Sequence, residues 1–125
     1  VSSLKVLLVD DEEELVSALA ERLGYRGIDT QYALNGPDAL RMIREERIDV
    51  VVLDLKLPGM SGVEVHEAIK RELPDLPVIL ITGHGAPPEQ LGLPPGEDYV
   101  FLEKPVALDV FIERIKEVTK TQGDR

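Results

Sequence analysis

Short apolar runs rich in branched residues alternate along the chain with longer stretches whose apolar positions recur every three or four residues. That is the pattern of repeated βαβ units around a parallel sheet. Five runs read as strands: Leu4 to Val9, Ile28 to Ala33, Ile48 to Leu53, Val78 to Ile81 and Tyr99 to Leu102. The first, third and fourth are almost wholly apolar, as strands covered on both faces are, and the second alternates as an edge strand does. The spacing predicts a helix from about Glu12 to Leu23 with Leu15, Val16, Leu19, Ala20 and Leu23 on its inner face, an Asp11–Glu14 capping box and an end at Gly24. A second helix opens at Gly36–Pro37, proline being favoured at the first helical position, and buries Ala39, Leu40 and Ile43. A third follows Ser61, turns Val65, Ala68 and Ile69 inward and closes before Pro74. Leu108, Phe111, Ile112, Ile115 and Val118 repeat at helical spacing and predict a last helix against the sheet.

The stretch from Gly83 to Glu97 breaks the rhythm, because it holds Gly83, Gly85, Gly92 and Gly96 together with Pro87, Pro88, Pro94 and Pro95. Proline costs about 3 kcal/mol in a helix interior and glycine about 1, so one turn near Pro88 to Leu91 is all that is expected there. The fold class is therefore α/β: a flavodoxin-like, doubly wound, five-stranded parallel sheet with the fourth helix shortened or irregular. Its strand order, 2-1-3-4-5, is taken by analogy with known sheets of this type.

Composition narrows the functional classes. At 125 residues the chain is one domain's worth, and 43% apolar with 30% charged residues is the balance of a soluble globular protein. A formal net charge of −10 repels phosphate backbones and anionic lipid, which excludes direct nucleic-acid and membrane binding from the expected roles. The absence of cysteine removes disulfide and thiolate chemistry and leaves a reducing, cytoplasmic setting as the expectation. The chain ends in the polar run TKTQGDR, of which residues 121–125 read as a tail or the start of a linker, with residues 1–120 as the domain.

Polar groups stand at the carboxyl ends of four of the five strands: Asp10 and Asp11 after VLLV, Asp54 after VVVL, Thr82 after VILI, and Lys104 after VFLE. In an open parallel sheet wound on both sides, ligands bind beyond those ends where the winding direction switches. Three carboxylates meeting there repel one another unless a cation or protons offset the charge, and hard oxygen ligands of this kind select Mg²⁺ or a similar ion such as Mn²⁺. One carboxylate can then attack phosphorus while the ion, a lysine and a hydroxyl share the charge of the transferred group. Asp54 is the candidate nucleophile, Lys104 the counter-charge and Thr82 the hydroxyl donor. Each has an ordinary reading too: a helix cap for Asp10 or Asp11, a turn opener for Asp54, a strand-end hydroxyl for Thr82, a solvated turn lysine for Lys104. Four such accidents at one edge of one sheet are a poor account of their coincidence.

The motifs VLLVDDEEE, VVLDLKLPGMSG, VILITGHG and VFLEKP, in that order and over essentially the whole length, resemble the receiver domain family of response regulators. The resemblance implies a signalling switch that accepts a phosphoryl group on Asp54 from a histidine kinase or phosphotransfer domain and controls an output domain or partner. It implies no enzyme beyond the domain's own Mg²⁺-dependent phosphorylation and dephosphorylation. It places the metal on Asp11 directly, on Asp10 through water, on Asp54, and on the backbone carbonyl of Lys56. Gly83 matches the small residue that leaves room for the phosphoryl group, and the Lys104–Pro105 bond is expected to be cis. Phe101, three residues before the lysine, matches the aromatic that follows the Thr82 hydroxyl on phosphorylation, with Tyr99 on the same strand face. Lys56 and His84 fall where side chains influence how fast the phosphoryl group is hydrolysed. His66, on the third helix, is expected to have no catalytic or metal role.

Three other readings compete. A phosphate-ester hydrolase working through an aspartyl-phosphate would carry a second aspartate two residues after the nucleophile, where this chain has Lys56. A flavin or dinucleotide binder would carry a glycine-rich turn where this chain has DDEEE. A pseudo-receiver, a phosphorylation-independent protein-binding module, would not need the acid pair, Asp54, Thr82 and Lys104 together.

Overall fold

The alternation read from the chain is realised in three dimensions. The computed structural model describes residues 4–83, 92–94 and 99–123, with side chains through residue 119. The chain runs β1 (Lys5–Val9), α1 (Glu13–Tyr25), β2 (Asp29–Ala33), α2 (Gly36–Glu45), β3 (Val50–Asp54), α3 (Gly62–Glu72), β4 (Val78–Thr82), β5 (Val100–Glu103) and α4 (Leu108–Gly123). All strand pairings are parallel and the order is β2-β1-β3-β4-β5, as expected. The irregular fourth helix anticipated near Pro88 to Leu91, and His84, lie outside the described residues.

Alternate residues of the central strands point to opposite faces, and each face is covered. Leu7, Val9, Val51, Leu53, Val78 and Leu80 pack with Ala39, Leu40 and Ile43 of α2 and Val65, Ala68 and Ile69 of α3. Val6, Leu8, Val50, Val52, Ile79 and Ile81 pack with Val16 and Leu23 of α1 and Phe111, Ile112 and Ile115 of α4. Double coverage is why β1, β3 and β4 are nearly continuous apolar runs, while β2, at the edge, buries only Ala33 fully.

Helix α1 departs from the expected boundaries. It starts at Glu13, its N-cap Glu12 makes no side-chain cap bond, and the predicted Asp11–Glu14 box is not formed. Instead Asp10 Oδ1 accepts the Glu12 N–H at 3.0 Å, so the strand-end carboxylate takes over the turn and Asp11 projects into solvent. At the other end the helix passes through Gly24 to Tyr25; Gly27, at φ +82°, takes the left-handed position, while the Ile28 N–H reaches back to the Leu23 carbonyl at 3.0 Å. Leu15, expected on the inner face, is 49% exposed, because the burial of α1 is centred on Val16 and Leu23.

Helices α2 and α3, unlike α1, carry side-chain caps. Asn35 accepts the Asp38 N–H ahead of α2, a cap not read from the sequence. Ser61 and Glu64 form a reciprocal capping box at the start of α3. The residue between β3 and α3 packing is tight at Gly62, where a Cβ would stand 2.7 Å from the Asp54 carbonyl oxygen and against the Leu55 backbone.

Candidate functional site

Strand register brings the acids together. Val9 pairs with Leu53, so the next residues, Asp10 and Asp54, stand side by side beyond β1 and β3. Asp54 pairs with Ile81, which puts Thr82 at the adjoining strand end, and the Lys104 N–H donates to the Thr82 carbonyl at 2.8 Å. Carboxylate oxygens of Asp10, Asp11 and Asp54 all lie within 4.8 Å of one another, with Asp10 and Asp54 buried and Asp11 exposed. Asp11 and Asp54 border an open cleft of about 620 Å³ also lined by Glu12, Leu55, Lys56, Leu57, Pro58, Gly83 and Lys104.

Lys104 holds the cluster together. Its Nζ donates to Asp54 Oδ2 at 2.7 Å and to Asp10 Oδ2 at 3.2 Å, and it lies 3.4 Å from Glu12 Oε1. The Lys104–Pro105 bond is cis, as expected. The other Asp54 oxygen, Oδ1, accepts the Lys56 N–H at 2.8 Å. Burial pushes the Asp54 carboxyl above its ordinary value; the Lys104 and Lys56 hydrogen bonds pull the other way, and the neighbouring Asp10 charge adds to the rise. Burial would lower the Lys104 ammonium, but bonds and charges from Asp54 and Asp10 outweigh it and hold its pKa above that of an ordinary lysine.

The remaining sequence-predicted residues are distributed around this centre. Thr82 is buried at the end of β4, and Lys56 is exposed on the cleft rim. Phe101 lies deeper on β5, level with Leu80, half-buried on the α2–α3 face beside Tyr99. The sequence reading missed Glu12 as a partner of Lys104. Its signal was the third acid of the DDEEE run, which looked like ordinary helix-start charge. A second, mainly apolar cavity of about 540 Å³ lies under α1 and shares Asp10, Glu12 and Lys104 with the site. The convergent charges lie in the open cleft, and the chemistry is assigned there.

Three hard carboxylates around a common point, two of them buried, are a donor set for a divalent cation. A doubly wound parallel sheet with such a cluster, and a lysine paired to the central aspartate, defines the class of phosphoacceptor switches. The model of the response regulator receiver domain family matches residues 6–116, and the chain belongs to that family. Among curated proteins it is 34% identical over 110 residues to the transcriptional regulatory protein GlrR of Escherichia coli, covering 88% of this chain and 25% of that one. It is 38% identical over 120 residues to the probable transcriptional regulatory protein TcrX of Mycobacterium tuberculosis, covering 94% and 50%. The chain thus spans between a quarter and a half of the length of these relatives. Among solved structures it matches a CheY-like receiver domain protein from Methanospirillum hungatei at a TM-score of 0.85 and 25% identity, over 98% of both chains. It matches the receiver domain of NtrX from Brucella abortus at 0.79 and 30%, over 93% and 98%. The acidic cluster and the Lys104 ion pairs match the phosphoacceptor and metal-binding architecture of this family. They fit its self-phosphorylation and dephosphorylation rather than a separate catalytic activity. Among the described residues, no helix is long and apolar enough to cross a membrane.

Proposed function

We propose that Asp54 accepts the phosphoryl group of a phosphohistidine on a histidine kinase or phosphotransfer domain, and that the change is read by an output domain or partner in the cytoplasm. Residues 1–120 make up the receiver, with 121–125 a polar tail or the start of a linker. The observation that carries this reading is the Lys104 ammonium shared between Asp54 and Asp10 beside an open, acid-lined cleft. Asp54 forms a new O–P bond as the N–P bond of the donor breaks, and the imidazole leaves with the electron pair. Lys104 then turns from the carboxylate to the phosphoryl oxygens, and the Thr82 hydroxyl donates to another of them. Asp10, Asp11, Asp54 and the Lys56 carbonyl would hold Mg²⁺, or Mn²⁺ in its place. When bound, the ion supplies positive charge that offsets the three carboxylates and the incoming group. Gly83, where a Cβ would meet nothing within 4 Å among the described residues, keeps the cleft wall low. Movement of Thr82 toward the phosphoryl group is followed by Phe101, which carries the change to β5. The Lys56 and His84 side chains set how readily water reaches the phosphoryl group.

Intact mass after incubation with acetyl phosphate, with and without Mg²⁺, tests this. One phosphoryl group is expected in the wild type only with Mg²⁺, and none in Asp54→Asn. No gain in any sample would leave a binding module that works without phosphorylation.

A further inference from the structure

Helix α3 turns Val65, Ala68 and Ile69 onto the sheet, and among them it buries a histidine, His66, only 5% exposed. An apolar side chain would fill that place without the cost of taking a polar ring out of water. The His66 ring lies 5.6 Å from that of Tyr99, tilted by 59°, and Tyr99 lies 5.9 Å from Phe101, tilted by 56°. Both spacings fall in the range where tilted aromatic pairs attract one another. The Tyr99 hydroxyl also donates to the Pro94 carbonyl at 2.6 Å, so the middle ring is fixed by its tip to the β4–β5 connection and by its face to α3. Phe101 is thus the free end of a three-ring row whose far end is anchored in a helix.

We infer that His66 is a positioning residue for the phosphorylation response: through Tyr99 it holds Phe101 in its resting place. The inference rests on the reading of Phe101 as the residue that moves. The row is intact in the unphosphorylated domain, so each ring contact stabilises that state relative to one in which Phe101 has moved. A ligand or modification that shifts a two-state equilibrium works against exactly such contacts. Removing the anchor therefore enlarges the shifted population before any phosphoryl group arrives.

The chain has two phenylalanines, so 4-fluorophenylalanine labelling gives two ¹⁹F resonances, assigned with Phe101→Leu. In the wild type the Phe101 resonance is expected to move on Mg²⁺-dependent phosphorylation by acetyl phosphate. In unphosphorylated His66→Ala it should already lie part-way to that position, and the phosphorylation rate should rise about 2- to 10-fold, the span of one aromatic contact. His66→Tyr, which restores a ring without adding a labelled phenylalanine, should return both. Tyr99→Leu, which removes the middle ring of the row, should move the resonance in the same direction. If His66→Ala does not fold, His66→Leu is read in its place. Variants that coincide with the wild type in resonance and rate, while the wild type responds to phosphorylation, overturn the positioning role alone. A wild-type resonance that ignores phosphorylation overturns the switch reading and the role of His66 with it.

Discussion

Lys104 illustrates how much one side chain carries in an acidic site. Its ammonium is the counter-charge that Asp10 and Asp54 share, so Lys104→Ala leaves two buried carboxylates facing each other. The expected cost is about 2 kcal/mol in urea unfolding with EDTA, the scale of a lost charged hydrogen bond, and Mg²⁺ should recover part of it. Phosphorylation by acetyl phosphate should slow about 100-fold, as when one donor to developing oxyanion charge is removed. Asp54 makes a pH prediction. Its carboxyl is raised by burial, so the folded protein holds that proton more tightly than the unfolded chain. Such a group stabilises the fold below its unfolded pKa, and that stabilisation is lost as pH rises through the folded value. Metal-free wild type should therefore lose more stability than Asp54→Asn as pH rises from about 4 upward, measured by urea unfolding at a series of pH values. A wild type that gains on the variant over that range would reverse the sign.

Two neighbours at the start of α3 separate stability from site geometry. Ser61→Ala breaks the capping box and should cost about 1 kcal/mol by thermal or urea unfolding, leaving the phosphorylation rate unchanged. Gly62→Ala places a methyl group against the Asp54 carbonyl and the Leu55 backbone, which cannot give way as a side-chain tip can. It should cost about 1–3 kcal/mol and also slow phosphorylation about tenfold, since the strand end that carries Asp54 must shift. These element-level features were partly legible. Ser61 and Pro37 announced their helices, and the apolar runs announced β1, β3 and β4. The start of α1 was not legible, because Asp10 and Asp11 are both plausible caps by type, and the N-cap position falls instead on Glu12, which makes no side-chain cap bond. Only the folded chain shows that Asp10 takes the Glu12 amide itself.

For the molecule as a whole, the acidic cluster is a local source of repulsion in a chain that already carries a net charge of −10. Any cation that binds the folded form alone stabilises it, by about 2.7 kcal/mol at a hundredfold excess over its Kd. Mg²⁺ should raise the unfolding midpoint in a concentration-dependent way, and Asp11→Asn should remove most of the rise. An equal rise in Asp11→Asn would point to general screening of surface charge. The same experiment in high monovalent salt separates the two, because screening saturates and site binding does not.

The sequence by itself determined the alternation of strands and helices, the five-stranded parallel sheet, and the presence of Asp10, Asp11, Asp54, Thr82 and Lys104 at strand ends. These follow from local periodicity and from the composition of the residues just past each strand. The tertiary structure alone decided which groups touch. Lys104 reaches Asp54 from 50 residues away and Asp10 from 94, distances along the chain that no local pattern encodes. It also exposed Leu15, recruited Glu12 to the lysine, and lined His66, Tyr99 and Phe101 into one row. Each depends on strand register and on the rotation of a helix about its axis, and packing between distant segments sets both.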